Sequence, residues 1–386
     1  MPSSTSSSDP AAPTTPLPPV QPQPGELPSH ETPPVDPPIR TLPSRPLGAV
    51  WLLALTVFAV SLLAWELHWR ARGFETGYRN SEGLWAQQRR RIDNGDGDAL
   101  VLLGSSRVLF DVQLPVWERL TGERPIQLAL EGTSPLAALE DLADDEDFNG
   151  RLLVGVAPDL FFSGFEYRGK VLKHYRTQTP AQRSGQWLSM HLLEPWLAYY
   201  SDDDSALFTV LERQHWPARD GVMSFTAVRK LAVHEADRNS RMWRRVETDP
   251  QYRSLARSIW AEHFNAPPPP PMATPERARA LVQAQITRAA AAVAKLRARG
   301  VPVVFVRPPS GGEYLAFENR VLPRERTWDP LLAATGAPGV HFEDHASMQG
   351  LDLPEWSHLS GADAERYTQA LVEVLQREDL LQRPAQ

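Results

Sequence analysis

Two short stretches far apart in a chain of 386 residues hold side chains that together do nucleophilic chemistry. The first is Gly104-Ser105-Ser106-Arg107, which follows the apolar run Ala-Leu-Val-Leu-Leu at 99–103. Turn residues (Asn94, Gly95, Asp96, Gly97) precede that run, so its length and flanks predict a strand buried on both faces of a parallel sheet. Ligand-handling groups in such sheets lie just past the carboxyl ends of the strands, which is where Ser105 and Ser106 fall. The same pair also suits a plain helix cap. The second stretch, 353–361, reads Leu-Pro-Glu-Trp-Ser-His-Leu-Ser-Gly. Glu355 stands three residues before His358, the residue types of a general base and the carboxylate that orients it. A histidine at a helix start is also a common surface or capping residue.

Taken together, an early Gly-Ser-Ser and a late Glu-x-x-His resemble the SGNH (GDSL-type) hydrolase superfamily. The likeness runs from about Asp98 to the C-terminus. Gly104-Ser105-Ser106-Arg107 resembles the family's first block, with Ser106 at the nucleophile and Ser105 where many members carry Asp. Leu-Ala-Leu-Glu-Gly-Thr-Ser at 128–134 resembles the second block, whose glycine, here Gly132, supplies a backbone N–H to the oxyanion hole. Residues 151–159 occupy the place of the third block, but the Asn that normally donates there is absent. Glu355-x-x-His358 resembles the last block with Glu in place of Asp.

The pattern resembles in particular the membrane-anchored branch found in bacterial envelopes, which includes proteins of alginate O-acetylation and teichoic-acid D-alanylation. The resemblance implies a flavodoxin-like three-layer α/β/α sandwich and acyl-ester chemistry on an envelope polysaccharide. Ser106, His358 and Glu355 would be catalytic, and the N–H groups of Ser106 and Gly132 would hold the oxyanion. It also implies a periplasmic C-terminal domain on the bacterial inner membrane and a membrane-bound acyltransferase as a possible partner. Neither the resemblance nor the residues call for a cofactor. Water as acceptor would make an esterase, and a sugar hydroxyl an O-acyltransferase. A catalytically inactive SGNH-fold subunit that binds a glycan or a partner acyltransferase is the alternative from another class.

The elements that must position these residues are legible in outline. Residues 1–46 are rich in Pro, Ser and Thr and read as a disordered spacer. Residues 47–66 are almost continuously apolar, long enough for one transmembrane helix, with Trp51, Trp65 and Trp69 toward its ends. Arginine counts on the two flanks are nearly balanced and lean slightly toward a cytoplasmic C-terminal domain, against the family expectation. A connector at 67–97 contains one short helix, in which Trp85 and Arg89 to Arg91 would touch headgroups or, more plainly, form a solvated face. The Asp/Gly run at 93–98 places glycines where a calcium loop needs ligands, which excludes that reading.

From 98 to 382 strands alternate with helices, the pattern of a parallel α/β sheet. An insertion at about 161–272, expected to be mostly helical, interrupts the rhythm. It is rich in aromatics, including Phe165, Tyr167, Trp187, Trp196, Trp216, Trp243 and Trp260, which suit either a small core or stacking on sugar rings. Arg107 and Arg307 are weaker candidates for binding a substrate anion, Arg307 being equally suited to a structural ion pair. Ser310 is a rival nucleophile without a glycine before it, and His341 and His345 are spare bases. A run at 201–204, Ser-Asp-Asp-Asp, reads as a solvated turn or cap rather than a cation site. The net charge of −7 gives no general pull toward nucleic acid, and the absence of cysteine excludes disulfides, thiolate metal sites and a Cys nucleophile.

Overall fold

A computed structural model describes residues 47–200 and 230–381. The proline-rich tail, the acidic run at 201–204, Trp216 and the last five residues lie outside them. The chain divides into two units, 1–58 and 59–386, and the second holds the α/β fold.

Five parallel strands build one sheet: β1 (Leu100–Leu103), β2 (Ile126–Gln127), β3 (Arg151–Gly155), β6 (Val303–Arg307) and β7 (Gly339–His341), ordered β2-β1-β3-β6-β7. Val101 pairs with Ile126 on one side of β1 and Leu102 with Leu153 on the other. Both faces of the sheet are covered. Val101 and Leu103 point into a core shared with the helices Leu136–Asp144, Pro275–Ala298 and Trp328–Thr335. Leu100 and Leu102 point into a second core with the helices Ser106–Asp111, Leu114–Thr121 and Gly361–Arg377. Strands buried on both faces need continuous apolar runs, which is why they read so clearly in the sequence. The order is that of doubly wound sheets, where the chain turns away in opposite directions between β1 and β3 and leaves a crevice at their carboxyl ends.

Most helix limits follow local chemistry. Thr274 caps Pro275–Ala298 through its side chain, and Gly122 ends Leu114–Thr121 in the left-handed region. The helix Glu82–Arg91 differs from expectation: most of it is buried, and only Gln87 is exposed. Trp85 is fully buried and donates from its indole to the Leu128 carbonyl at 2.9 Å, while buried Arg89 bonds Asp93, Asp141 and Asp145. The insertion also holds strand structure that the sequence reading missed, an antiparallel hairpin of β4 (Ala232–His234) and β5 (Ser240–Met242). These strands are three residues each, too short for alternation to show.

Two glycines seat the helix that begins at Ser106. A Cβ on Gly155 would lie 2.0 Å from Val108 Cγ2, and one on Gly104 would lie 2.5 Å from the same atom. Val108 thus fills the space those absent side chains leave at the ends of β1 and β3. Gly155→Ala is expected to cost about 1–3 kcal/mol through overpacking. Val108→Ala in the same chain should restore part of that loss, as read by thermal unfolding. Equal losses in the single and double variants would show that the glycine does not serve this fit.

Candidate active site

Because the five strands are parallel, the segments that follow them meet along one edge. Ser105 and Ser106 follow β1, Gly132 follows β2, Asp159 follows β3, Arg307 ends β6, and the 355–358 loop comes after β7. Ser105 acts as the N-cap of the Ser106–Asp111 helix, its side chain accepting from Arg107 N–H at 3.4 Å. Ser106 is the first helical residue and is half-buried. Its N–H, like that of Gly132, makes no hydrogen bond among the described residues. Gly132 has φ +57, which favours glycine, and its carbonyl accepts from Tyr167 N–H at 3.0 Å.

Glu355 and His358 are brought together by their own loop. Both are buried, at 0% and 1% exposure. Glu355 Oε1 accepts from His358 Nδ1 and from the His358 backbone N–H, each at 2.7 Å. The second oxygen accepts from the Trp260 indole at 2.5 Å. Burial alone would raise the Glu355 carboxyl, but the facing His358 ring and these donors hold it below the ordinary carboxylate range. In the neutral ring a carboxylate partner places the imidazole proton on Nδ1, which leaves Nε2 as the nitrogen with a lone pair. That Nε2 is buried and has no hydrogen-bond partner. No hydrogen bond joins it to Ser106.

The loop is nevertheless seated on the serine's helix. The Phe110 ring lies 4.7 Å from the His358 ring, and Phe110 is one helical turn beyond Ser106, on the same face. Asp111 Oδ1 accepts from Leu359 N–H at 2.9 Å, and Arg107 Nε donates to Ser357 Oγ at 3.4 Å. Burial pushes the Asp111 carboxyl well above its ordinary range; its Oδ2 and the Tyr367 hydroxyl are both buried without partners. The folded form therefore keeps this proton where the unfolded chain, near 3.8, has released it. Stability from this group is present at acid pH and is lost as the pH rises from there. Asp111→Asn removes that slope, so the melting temperature of the variant minus that of the parent should climb between pH 4 and pH 8. A difference that stays flat over that range would rule the assignment out.

Arg107 and Arg307 are both committed inside the protein. Arg107 Nη1 donates to Glu318 Oε1 at 2.8 Å, and Arg307 Nη2 to Glu318 Oε2 at 2.7 Å. Ser310 Oγ donates to the same oxygen at 2.6 Å, and all four side chains are buried. For Arg307 and Ser310 this is an ion-pair network in the core, and neither side chain reaches the surface. His341 is packed between Trp328 and Phe342 and is driven down to about 3 by burial, while His345 lies outside this edge's hydrogen bonding with the 355–358 loop.

The insertion supplies neighbours that the sequence did not single out. Besides Trp260 on Glu355, His234 from β4 lies near Phe110, 6.1 Å between rings. Its Nδ1 meets Ser240 Oγ at 2.7 Å, and that hydroxyl donates to the Arg238 carbonyl at 3.0 Å. The His234 proton is therefore on Nδ1, and burial lowers this histidine to about 4. No spacing in the sequence links residues 234 and 260 to 355–358. Only the fold brings them near.

Among the described residues, no cluster of His, Asp and Glu could hold a metal ion. No protein-family model matches the chain, and no curated protein is significantly similar to it. The helix Leu47–Ala71, 25 residues, is the one described helix long and apolar enough to cross a membrane. It runs five residues past the expected end at 66, through His68, Trp69 and Arg70.

Proposed function

We propose that the chain is a membrane-anchored serine acyl-transfer enzyme of SGNH type, an esterase or O-acyltransferase acting on acyl esters of a bacterial envelope polysaccharide. The reading rests on a buried Glu355–His358 pair whose Nε2 is left without a partner, against the helix that begins at Ser106. A buried nitrogen without a hydrogen bond costs about 1–3 kcal/mol, and such costs persist at working sites. In the proposed reaction Ser106 Oγ gives its proton to His358 Nε2 and attacks the ester carbonyl. The alcohol leaves with the proton returned by His358, and water or a sugar hydroxyl then takes the acyl group from Ser106. The free N–H groups of Ser106 and Gly132 would stabilise the oxyanion. A missing third donor costs about 2.7–4 kcal/mol where one donor has been removed, which slows such a reaction without preventing it.

The polysaccharide part of the reading has support of its own. Tyr167, 73% exposed, and Phe165, 56% exposed, bracket the Gly132 loop through the Thr133–Glu166 bridge. Exposed aromatic faces beside an oxyanion loop suit a sugar ring.

A second reading, a catalytically inactive subunit of the same fold that binds a glycan or a partner acyltransferase, is favoured by the lack of a Ser106–His358 hydrogen bond. Labelling of the full chain in detergent with a fluorophosphonate serine probe separates the two. An acyl-transfer enzyme labels at Ser106, and Ser106→Ala abolishes the label. A folded protein that stays unlabelled belongs to the second reading.

A further inference from the structure

The segment from Pro180 to Tyr200 buries a carboxylate, Glu194, on one side and exposes large apolar side chains on the other. The helix Pro180–Leu188 runs into a wider turn, Ser189–Leu193. On its inner side lie Met190, Glu194 and Ala198, all buried. Glu194 accepts there from Ser189 Oγ at 2.5 Å and from Arg79 N–H at 3.1 Å. On its outer side Trp187, Leu188, Leu192 and Trp196 are 55%, 47%, 58% and 66% exposed. Trp187 stacks on His191 at 4.5 Å, and the Trp196 indole donates to the His191 carbonyl at 3.3 Å, so the two indoles belong to one patch. A soluble surface does not gather two Trp and two Leu in this way without a partner.

What lies next to the patch names the partner. Glu66, near the end of the long apolar helix, accepts from Ala198 N–H at 2.9 Å and Tyr199 N–H at 3.2 Å. Arg70 donates to the Trp196 carbonyl at 3.0 Å and to Glu66 at 2.5 Å. The patch is thereby fixed beside the stretch of that helix where Leu63, Trp65 and Leu67 are also exposed. Arg72, over the Trp69 ring at 5.5 Å, and exposed Arg183 add cations of the kind that meet lipid phosphate. Trp and Leu on one face, with Arg at the margin and Trp at the level of a helix end, is the composition of an interfacial membrane element.

We infer that the outer face of residues 187–196 is buried in the headgroup region of the bilayer, as a second contact that does not span it. The inference rests on the reading of Leu47–Ala71 as a membrane anchor. It gives the α/β domain a second hold on the membrane beside the single helix.

The chain has no cysteine, so single Cys variants of the full protein can carry a nitroxide without removing native residues. Leu188→Cys and Leu192→Cys would be compared in proteoliposomes containing anionic lipid with Leu55→Cys and with Gln369→Cys on the exposed side of the C-terminal helix. Power saturation reads the access of oxygen against that of a water-soluble nickel chelate. The expected result is a ratio at 188 and 192 several-fold above that at 369 and below that at 55. If 55 reads as membrane while 188 and 192 match 369, the inference fails and the anchor stands. If 55 also reads as aqueous, both fail. Labels at 188 and 192 closed to both reagents would put a protein surface there, and the lipid assignment would be overturned.

Discussion

His358→Ala is expected to reduce the rate of fluorophosphonate labelling at Ser106 by about 10⁴–10⁶, the range found when a base is removed from a working serine triad. The size follows from the part proposed for Nε2: a neutral serine is a poor nucleophile until a base takes its proton. Glu355→Gln should lose about 10⁴ although it keeps the side chain's shape. A Gln amide facing Nδ1 as a donor would move the ring proton to Nε2, the nitrogen that must stay free. Because Glu355 also accepts from the His358 backbone and from Trp260, each variant's melting temperature is needed beside its rate. Trp260→Phe removes one donor to the carboxylate and should slow labelling far less than Glu355→Gln. Undiminished labelling of His358→Ala would take His358 out of the mechanism, and His234, 6.1 Å from the Phe110 ring, would be the next base to replace.

Replacing Glu318 should have the largest effect on stability. Its carboxylate lies between Arg107 and Arg307, wholly buried, and is held below the ordinary range by both guanidinium groups against the opposing effect of burial. Glu318→Ala leaves two cations in the core without a counter-charge, a change that costs about 3–5 kcal/mol when one member of a buried pair is removed. For a domain of this size that lowers the melting temperature by about 10 °C. Glu318→Gln preserves volume but not charge, so its loss should be nearly as large. Exchanging Arg107, Arg307 and Glu318 together for Met, Met and Leu should recover much of the loss, since no charge is then left buried. If Glu318→Gln is as stable as the parent, packing holds this network and charge does not. The first half of the network also reaches the site, because Arg107 follows Ser106 and its Nε bonds Ser357 next to His358. Damage at Glu318 should therefore appear in labelling as well as in melting.

Several features were readable from the residues alone because their causes are local. The runs 99–103 and 301–306 announced buried parallel strands, since strands covered on both faces carry apolar residues without alternation. Thr274-Pro275, Gly122 and Gly300 marked helix ends because capping and positive φ act within a few residues. Ser105 proved to be a cap, and the Glu355–His358 pair is made inside a four-residue loop, so spacing was enough to foresee it.

What the sequence could not hold was anything made between distant segments. Helix Glu82–Arg91, with three consecutive arginines, looked solvated. Its Trp85 and Arg89 are core residues because Leu128, Asp141 and Asp145 happen to converge on them. For Arg307 the sequence offered both anion binding and a structural ion pair, and the fold makes the ion pair with Glu318, eleven residues on, which Arg107 shares. Trp260, which donates to Glu355, and His234, whose ring lies 6.1 Å from that of Phe110, are both in the insertion with no periodicity to announce them. The sequence by itself determined the strands, the caps, the apolar helix and the Glu–His pair, because each depends on neighbours along the chain. Tertiary structure alone decided which charges are neutralised, which aromatics stay exposed and which groups surround Ser106. Those outcomes depend on packing between separate segments, from 11 residues apart for Arg307–Glu318 to 211 for Arg107–Glu318, and the cost of leaving a buried charge or donor unpaired selects among them only once the chain has folded.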